Sequence, residues 1–416
     1  MTTTCMIGAR MIGARMTTFA ALAAGLAAGA WAGAPATAAN VKIGLVLTYS
    51  GGGAELAQQI DRGMTLYMKE HGAKLAAPHT LEIIKRDDKT PGGDVAKTLV
   101  QELVTRDQVQ MITGFIFSPN AMASAPLATQ AKVPMLVLNA GTAWITNLSP
   151  YISRVSFSMW HSGYPMGEYA AAKLGCKSAA VGYTDYPPGK DSLDAFKMGY
   201  EGKGGKLVDA IPMGGPAAVP DFTPFFQRVK DAKPDCFYVF VPAGNHATAV
   251  AKTYNDLGMR AAGVRLIGPG DIVQDTKLQG MGKEAAGILV MQHYAADLPN
   301  AENKAFVAAW KRDYGADSTP DFMAAAGWDG MAAIVNAVKA TDGRMEADKV
   351  MDSLKGWTFK SPRGPIKIDP VTRDIVMDMH LGEVVWTGSN LKIEFRDMVP
   401  QVAYPCKTLK VGRCAQ

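Results

Sequence analysis

The 416-residue sequence is poor in cysteine, holding five, and only 19% of its residues are charged. Five cysteines are too few for a small disulfide-built scaffold. The formal charge of +5 is spread thinly, with no basic block. A nucleic-acid binder clusters lysine and arginine on one face, so no nucleic-acid partner is expected. With 48% hydrophobic residues the chain is not disordered. Catalytic signatures are missing as well. There is no P-loop lysine, no H-E-x-x-H and no G-x-S-x-G. The glycine-rich turn Ser50–Gly53 follows a predicted strand, but G-x-G-x-x-G would need glycine where Leu56 stands. Six histidines are scattered without an i, i+4 ligand pair, and no cysteine has zinc spacing. His161 and Asp185 could be cast as an acid or base, yet neither has a visible partner. Neither an enzyme nor a metal or cofactor is expected.

Arg10 and Arg15 precede an Ala-rich apolar stretch, Phe19 to Ala34, which ends in Pro35-Ala36-Thr37-Ala38-Ala39. A charged start, a short apolar run and small residues at the cut make residues 1–39 a secretory signal peptide, cleaved after Ala38 or Ala39. The run falls short of the ~20 residues a membrane span needs. Cys5 lies before it, so no cysteine at the cut carries a lipid. Met6–Arg10 is repeated as Met11–Arg15, which points to Met11 as the start. The mature chain is expected in the periplasm, soluble and monomeric. There, disulfides are permitted. Cys406 and Cys414, close together in an irregular tail, are expected to form a clip. Cys176 and Cys236 each stand before a predicted strand, and either pair or remain buried thiols.

From Val41 onward, strands alternate with helices. Val41–Leu47, Leu81–Arg86, Met111–Phe115 and Met135–Leu138 read as strands separated by helical patterns. The rhythm restarts after Arg154 with strands Ser178–Tyr183, Leu207–Ile211, Cys236–Val241, Arg265–Ile267 and Gly287–Met291. Such alternation implies parallel sheets covered by helices on both faces, in two α/β units. Helices Asn303–Tyr314 and Phe322–Ala340 and a short one from Ala347 to Lys355 follow. From Trp357 the chain turns to Pro- and Gly-punctuated β segments, Ile366–Ile368, Ile375–Val385 and Asn390–Phe395.

With catalysis lacking its parts, binding remains. In open α/β sheets ligands sit at the carboxyl ends of the strands, where helix N-termini offer free N–H groups. Four strand-to-helix loops there combine small hydroxyl residues with aromatic ones. They are Thr48-Tyr49-Ser50-Gly51, Phe115 to Asn120, Asn139-Ala140-Gly141-Thr142 and Thr184-Asp185-Tyr186. Hydroxyls and N–H groups suit a carboxylate, and aromatics suit an apolar body. Taken singly, each loop's Ser or Thr is equally well a helix cap. Phe115 and Phe117 alternate at a strand end, so one of them must face the core.

The order and spacing of these pieces resemble the periplasmic substrate-binding proteins of branched-chain amino-acid-type ABC transporters. The resemblance runs over nearly the whole mature chain. It is carried by Val41-Lys42-Ile43-Gly44-Leu45 with Tyr49-Ser50-Gly51, by Ile112-Thr113-Gly114 with Ser118, and by Val133-Pro134 with Asn139 to Thr142. Tyr151 to Arg154, Asp185 to Asp191 and Ile267-Gly268-Pro269-Gly270 extend it. It implies a type I periplasmic binding fold, α/β, with two Rossmann-like parallel-sheet lobes, a hinge and a central cleft. Lobe 1 would span 40–157 with a return segment 293–357, and lobe 2 158–292 with a β-rich tail 358–416. The tail, Ser361-Pro362-Arg363-Gly364-Pro365 through Thr372-Arg373-Asp374, is similar to a subgroup associated with aromatic acid uptake.

Carried over residue by residue, the resemblance gives Ser118, Ala140 and Thr142 the ligand carboxylate, with Asn120 and Asn139 beside them. Tyr49 belongs to the same rim, and Trp160, His161 and Tyr186 close from the second lobe. In amino-acid-binding relatives an acidic residue directly after the Gly-Pro pair meets the ligand ammonium. Here Gly270 takes that place and Asp271 follows one residue later. A buried ammonium without a carboxylate would cost several kcal/mol. Either the loop is shifted so that Asp271 serves, or the ligand has no amine. The expected ligand is a small carboxylate, foremost an aromatic acid, and the expected partner a membrane permease. A branched-chain or aromatic amino acid is the alternative ligand, and a periplasmic sensor of the same fold the alternative role.

Overall fold

The computed structural model describes residues 38–405, so the expected signal peptide and the pair Cys406 and Cys414 lie outside the described residues. Two sheets organise the rest. The first holds β1 (Asn40–Leu47), β2 (Thr80–Asp87), β3 (Met111–Gly114), β4 (Met135–Val137) and β5 (Ile152–Arg154), in the order β2-β1-β3-β4-β5. All its pairings are parallel, with Ile43 opposite Met111 and Met135 opposite Ile152. Helices cover both faces, and Val41, Ile43, Leu45, Val46 and Leu47 are all shielded from solvent. This is why β1 reads as a continuous apolar run rather than an alternating one.

The second sheet runs β6 (Ser178–Tyr183), β7 (Lys206–Pro212), β8 (Cys236–Phe240), β9 (Arg265–Pro269) and β10 (Leu289–Gln292) in parallel. Antiparallel β11 (Thr358–Ser361), β12 (Gly364–Ile368), β13 (Ile375–Trp386) and β14 (Leu391–Ala403) extend it beyond β10. The sequence pattern missed β5 and β11, which are short and hold few apolar residues. It also stopped β14 at Phe395. The outer half of that strand is rich in exposed polar residues, and its register comes from β13, with Val376 opposite Ala403.

Between β10 and β11 the chain returns to the first sheet. Helix Phe322–Ala340 packs on helix Ala54–Tyr67 through reciprocal glycines. A Cβ on Gly63 would lie 2.1 Å from Ala324 O, and one on Gly327 would lie 2.1 Å from Ile60 O. Tyr314 donates to Arg62 O, and Tyr151 to Asp348, so helices Ala301–Tyr314 and Ala347–Leu354 also sit on this side.

Of the two outcomes open to Cys176 and Cys236, the structure shows the pair. Cys176 and Cys236 are disulfide-bonded, with Cα atoms 5.8 Å apart. Cys236 opens β8 and Cys176 precedes β6, and these strands are neighbours with Ala179 opposite Cys236. Parallel pairing therefore brings together two residues 60 apart in sequence.

Candidate functional site

A narrow slot lies where the carboxyl ends of the two sheets face each other. The first sheet and its helices supply Leu56, Ile116, Phe117, Ser118, Asn139, Gly141 and Met323. The crossing after β5 supplies Phe157 and Met159. From the second sheet come Tyr186, Pro188, Phe240, Pro242, Ala243 and Asp271. Every parallel strand that ends here delivers its wall through the loop that follows it, as expected of an open α/β sheet.

The first-lobe end is a donor site. Gly114, at φ 114°, approaches β1 so closely that a Cβ there would stand 2.2 Å from Val46 O. The chain then turns Phe115 into the core and Phe117 into the slot. Ser118 opens helix Ser118–Ala131, so its own N–H has no acceptor within the helix. Its Oγ accepts the Thr142 N–H at 3.0 Å, which leaves the hydroxyl proton free to donate. Thr142 Oγ1 is buried beside it without a hydrogen-bond partner among the described residues. Asn139 donates through Nδ2 to Ile116 O at 2.9 Å and leaves Oδ1 buried and unpaired. The positive end of the helix adds to the Ser118 and Thr142 hydroxyls, and together these suit an anion, whereas Asn139 Oδ1 can only accept.

The second-lobe end is different in kind. Tyr186 precedes helix Pro187–Gly202 and stacks on Phe240, with centroids 6.1 Å apart and planes at 15°. Burial and the nearby Asp271 push its phenol well up. Asp271 is 6% exposed, and burial raises its carboxyl to about 7. The one opposing influence is its own backbone, since no cation among the described residues faces it. Gly270 is explained by packing. A Cβ there would lie 2.7 Å from Gln292 Cβ, so Gln292 fills the space that a side chain at 270 would need.

The lobes meet around the slot. Asp191 Oδ2 accepts the Ala143 N–H at 2.8 Å, Lys277 pairs with Glu55, and Gln274 donates to Asp321. Behind the Ala140–Ala143 loop, Arg154 donates to Ala140 O at 2.9 Å and to Thr142 O at 2.7 Å, and pairs with Asp374. The tail signature is thus a clamp. Arg363 pairs with Asp329 and donates to Val155 O, and Arg373 donates to Ile152 O at 2.9 Å.

Of the residues expected at the site, Ser118, Asn139, Tyr186 and Asp271 line the slot together, and Thr142 bonds to Ser118. The structure gives the others partners elsewhere. Asn120 accepts from Gly93 N and donates to Thr90 O, holding the neighbouring loop. Ala140 N–H is spent on Phe115 O at 2.9 Å. His161 is fully buried as a helix cap, with Nδ1 against Ser158 and Nε2 against Ile375 O, and burial holds its imidazole below the ordinary value. Trp160 packs with Ala143, Ala195 and Tyr404, outside the slot wall. Tyr49 donates its N–H to Asp87, and its ring packs on the core. Phe157, Phe240 and Met323 were missed. Nothing local marks them, because the first lies in an inter-lobe crossing and the others on a buried strand and helix.

Residues 40–390 match the family described as periplasmic binding protein. The Leu/Ile/Val-binding protein homolog 6 of Brucella melitensis is 37% identical over 344 residues, covering 83% of this chain and 87% of that one. A solute-binding protein of an ABC transporter from Rhodopseudomonas palustris BisB5, solved in complex with 3,4-dihydroxybenzoic acid, is 42% identical with a TM-score of 0.84. That match covers 88% of this chain and 99% of the other. A second R. palustris solute-binding protein, in complex with 4-hydroxybenzoate, is 38% identical with a TM-score of 0.83 over 88% and 98% of the two chains. The chain belongs to the periplasmic binding protein family, with the type I fold, and this is a family of binding proteins rather than enzymes.

Proposed function

We propose that this protein is the periplasmic solute receptor of an ABC importer and that its ligand is a single-ring aromatic carboxylate. The observation that carries this reading is the polarity of the slot. The first sheet brings donors at Ser118 and a helix N-terminus, the second brings an acid at Asp271 with no cation among the described residues, and Phe117, Phe157, Tyr186 and Phe240 share the same walls. The ligand carboxylate goes to Ser118, and the ring fills the aromatic section. The hydroxybenzoate complexes of the R. palustris relatives support the same ligand class. Walls drawn from both lobes make binding and closure one event, because contacts to both sides exist only in the closed form. A membrane permease that distinguishes closed from open would collect the loaded, monomeric receptor from the periplasm.

One observation favours a second reading. Asp271 lines the slot without a cation, and an amino-acid ammonium would supply one. Calorimetric titration with 4-hydroxybenzoate, 3,4-dihydroxybenzoate, leucine and phenylalanine decides between the two. Binding of the acids alone supports the aromatic-acid receptor. Tight binding of the amino acids, with none of the acids, overturns it.

A further inference from the structure

A smaller chamber adjoins the slot and shares Phe157 and Asp271 with it. Its other walls include Gln292, His293 and Phe322. Gln292 and His293 are each 4% exposed, and the Nε2 atom of each has no hydrogen-bond partner among the described residues. Unpaired polar groups in the interior are costly, so native proteins rarely keep them without a water or ligand to satisfy them. The imidazole is held in place by rings on two sides. Phe157 lies 4.6 Å away between centroids and Phe322 lies 5.6 Å away. Burial, with Arg363 behind it, holds His293 well below its ordinary value, so it is neutral, with one donor and one acceptor nitrogen. The slot proper has its donors at the opposite end, by Ser118. A ring anchored there points its far edge toward the second lobe.

We propose that this chamber receives a hydroxyl substituent on the far side of the ligand ring, and that His293 is the residue that selects hydroxylated over unsubstituted benzoates. The proposal rests on the aromatic-acid reading above. A site built to hydrogen-bond a hydroxyl rejects the analogue without it more strongly than an apolar pocket rejects one methylene, because its own polar atoms are then left unpaired.

The test is a calorimetric panel of benzoate, 4-methylbenzoate, 4-hydroxybenzoate and 3,4-dihydroxybenzoate against the wild-type chain, His293→Phe and His293→Gln. The wild type should bind the hydroxylated acids at least about tenfold more tightly than benzoate and 4-methylbenzoate. His293→Phe should remove most of that ratio while the benzoate Kd moves less than about threefold. His293→Gln, which keeps a donor and an acceptor, should retain a preference. Equal affinities in the wild type overturn the inference whether or not the variants fold, and so does a ratio that persists in His293→Phe. If no acid binds the wild type, the aromatic-acid reading falls and the inference falls with it.

Discussion

Arg154 and Asp374 are 220 residues apart in sequence, yet Arg154 Nε donates to Asp374 Oδ1 at 2.9 Å in the interior. The same guanidinium holds the carbonyls of Ala140, Thr142 and Ala143. The loop that faces Ser118 is therefore tied to the last quarter of the chain. Removing one partner of a buried pair leaves an uncompensated charge, at a cost of about 3–5 kcal/mol. Asp374→Ala should lose that much stability in urea unfolding, and the folded fraction should bind ligand more weakly because the loop is slack.

Ser118→Ala should weaken binding of an aromatic carboxylate by about 1.5–3 kcal/mol, the worth of a hydrogen bond to a charged group. That is roughly tenfold to hundredfold in Kd by calorimetry. The fold should hold, since only the Thr142 N–H loses its acceptor. Trp160→Phe should stay within about twofold under the same assay, because Trp160 packs outside the slot wall.

The pH profile separates the two ligand classes. Asp271 is raised to about 7 in the closed protein and returns toward the ordinary carboxylate value when exposed. Its neutral form is thus favoured by closure, and closure is most favourable below that value. Affinity for an aromatic acid should therefore fall as pH rises above the ordinary carboxylate value of about 4, by up to tenfold per unit, and level off above about pH 7. Burial raises Asp191 to about 6 although the Ala143 N–H opposes the shift, and this adds in the same direction at lower pH. An amino acid would keep Asp271 ionised in the closed form, so its affinity should show no such fall between pH 5.5 and 7. Titrations at pH 5.5, 7 and 8.5 read the sign directly.

Cys176→Ser with Cys236→Ser should lower stability by up to about 4 kcal/mol, the entropy expected for closing a 60-residue loop. Mass analysis without reductant should show the same two residues linked. Free thiols at both would contradict the pairing.

Gly327→Ala should destabilise the protein measurably in thermal unfolding, by about 1–3 kcal/mol as over-packing does, because the added carbon meets the Ile60 backbone. A silent variant would mean that the two helices are not in this contact.

Much of this was written locally. Runs such as Val41–Leu47 and the loops after them announce parallel strands and their binding ends, since apolar periodicity and helix starts are short-range properties. Ser118, Asn139, Tyr186 and Asp271 could be picked out because each stands where a strand yields to a helix or turn, with a polar or aromatic side chain. What each one does there was not local. Ser158 caps its helix with His161, which removes that imidazole from the site, and Phe115 takes the hydrogen that Ala140 had to offer. Whether Cys176 and Cys236 pair turned on strand neighbours, and the space at Gly270 on Gln292 from another strand. The sequence by itself determined most of the elements, while β5, β11 and the outer half of β14 took their form from neighbouring strands. Which polar atoms are left over for a ligand was decided only when distant segments packed, because a hydrogen bond already made inside the protein cannot be made again to a ligand.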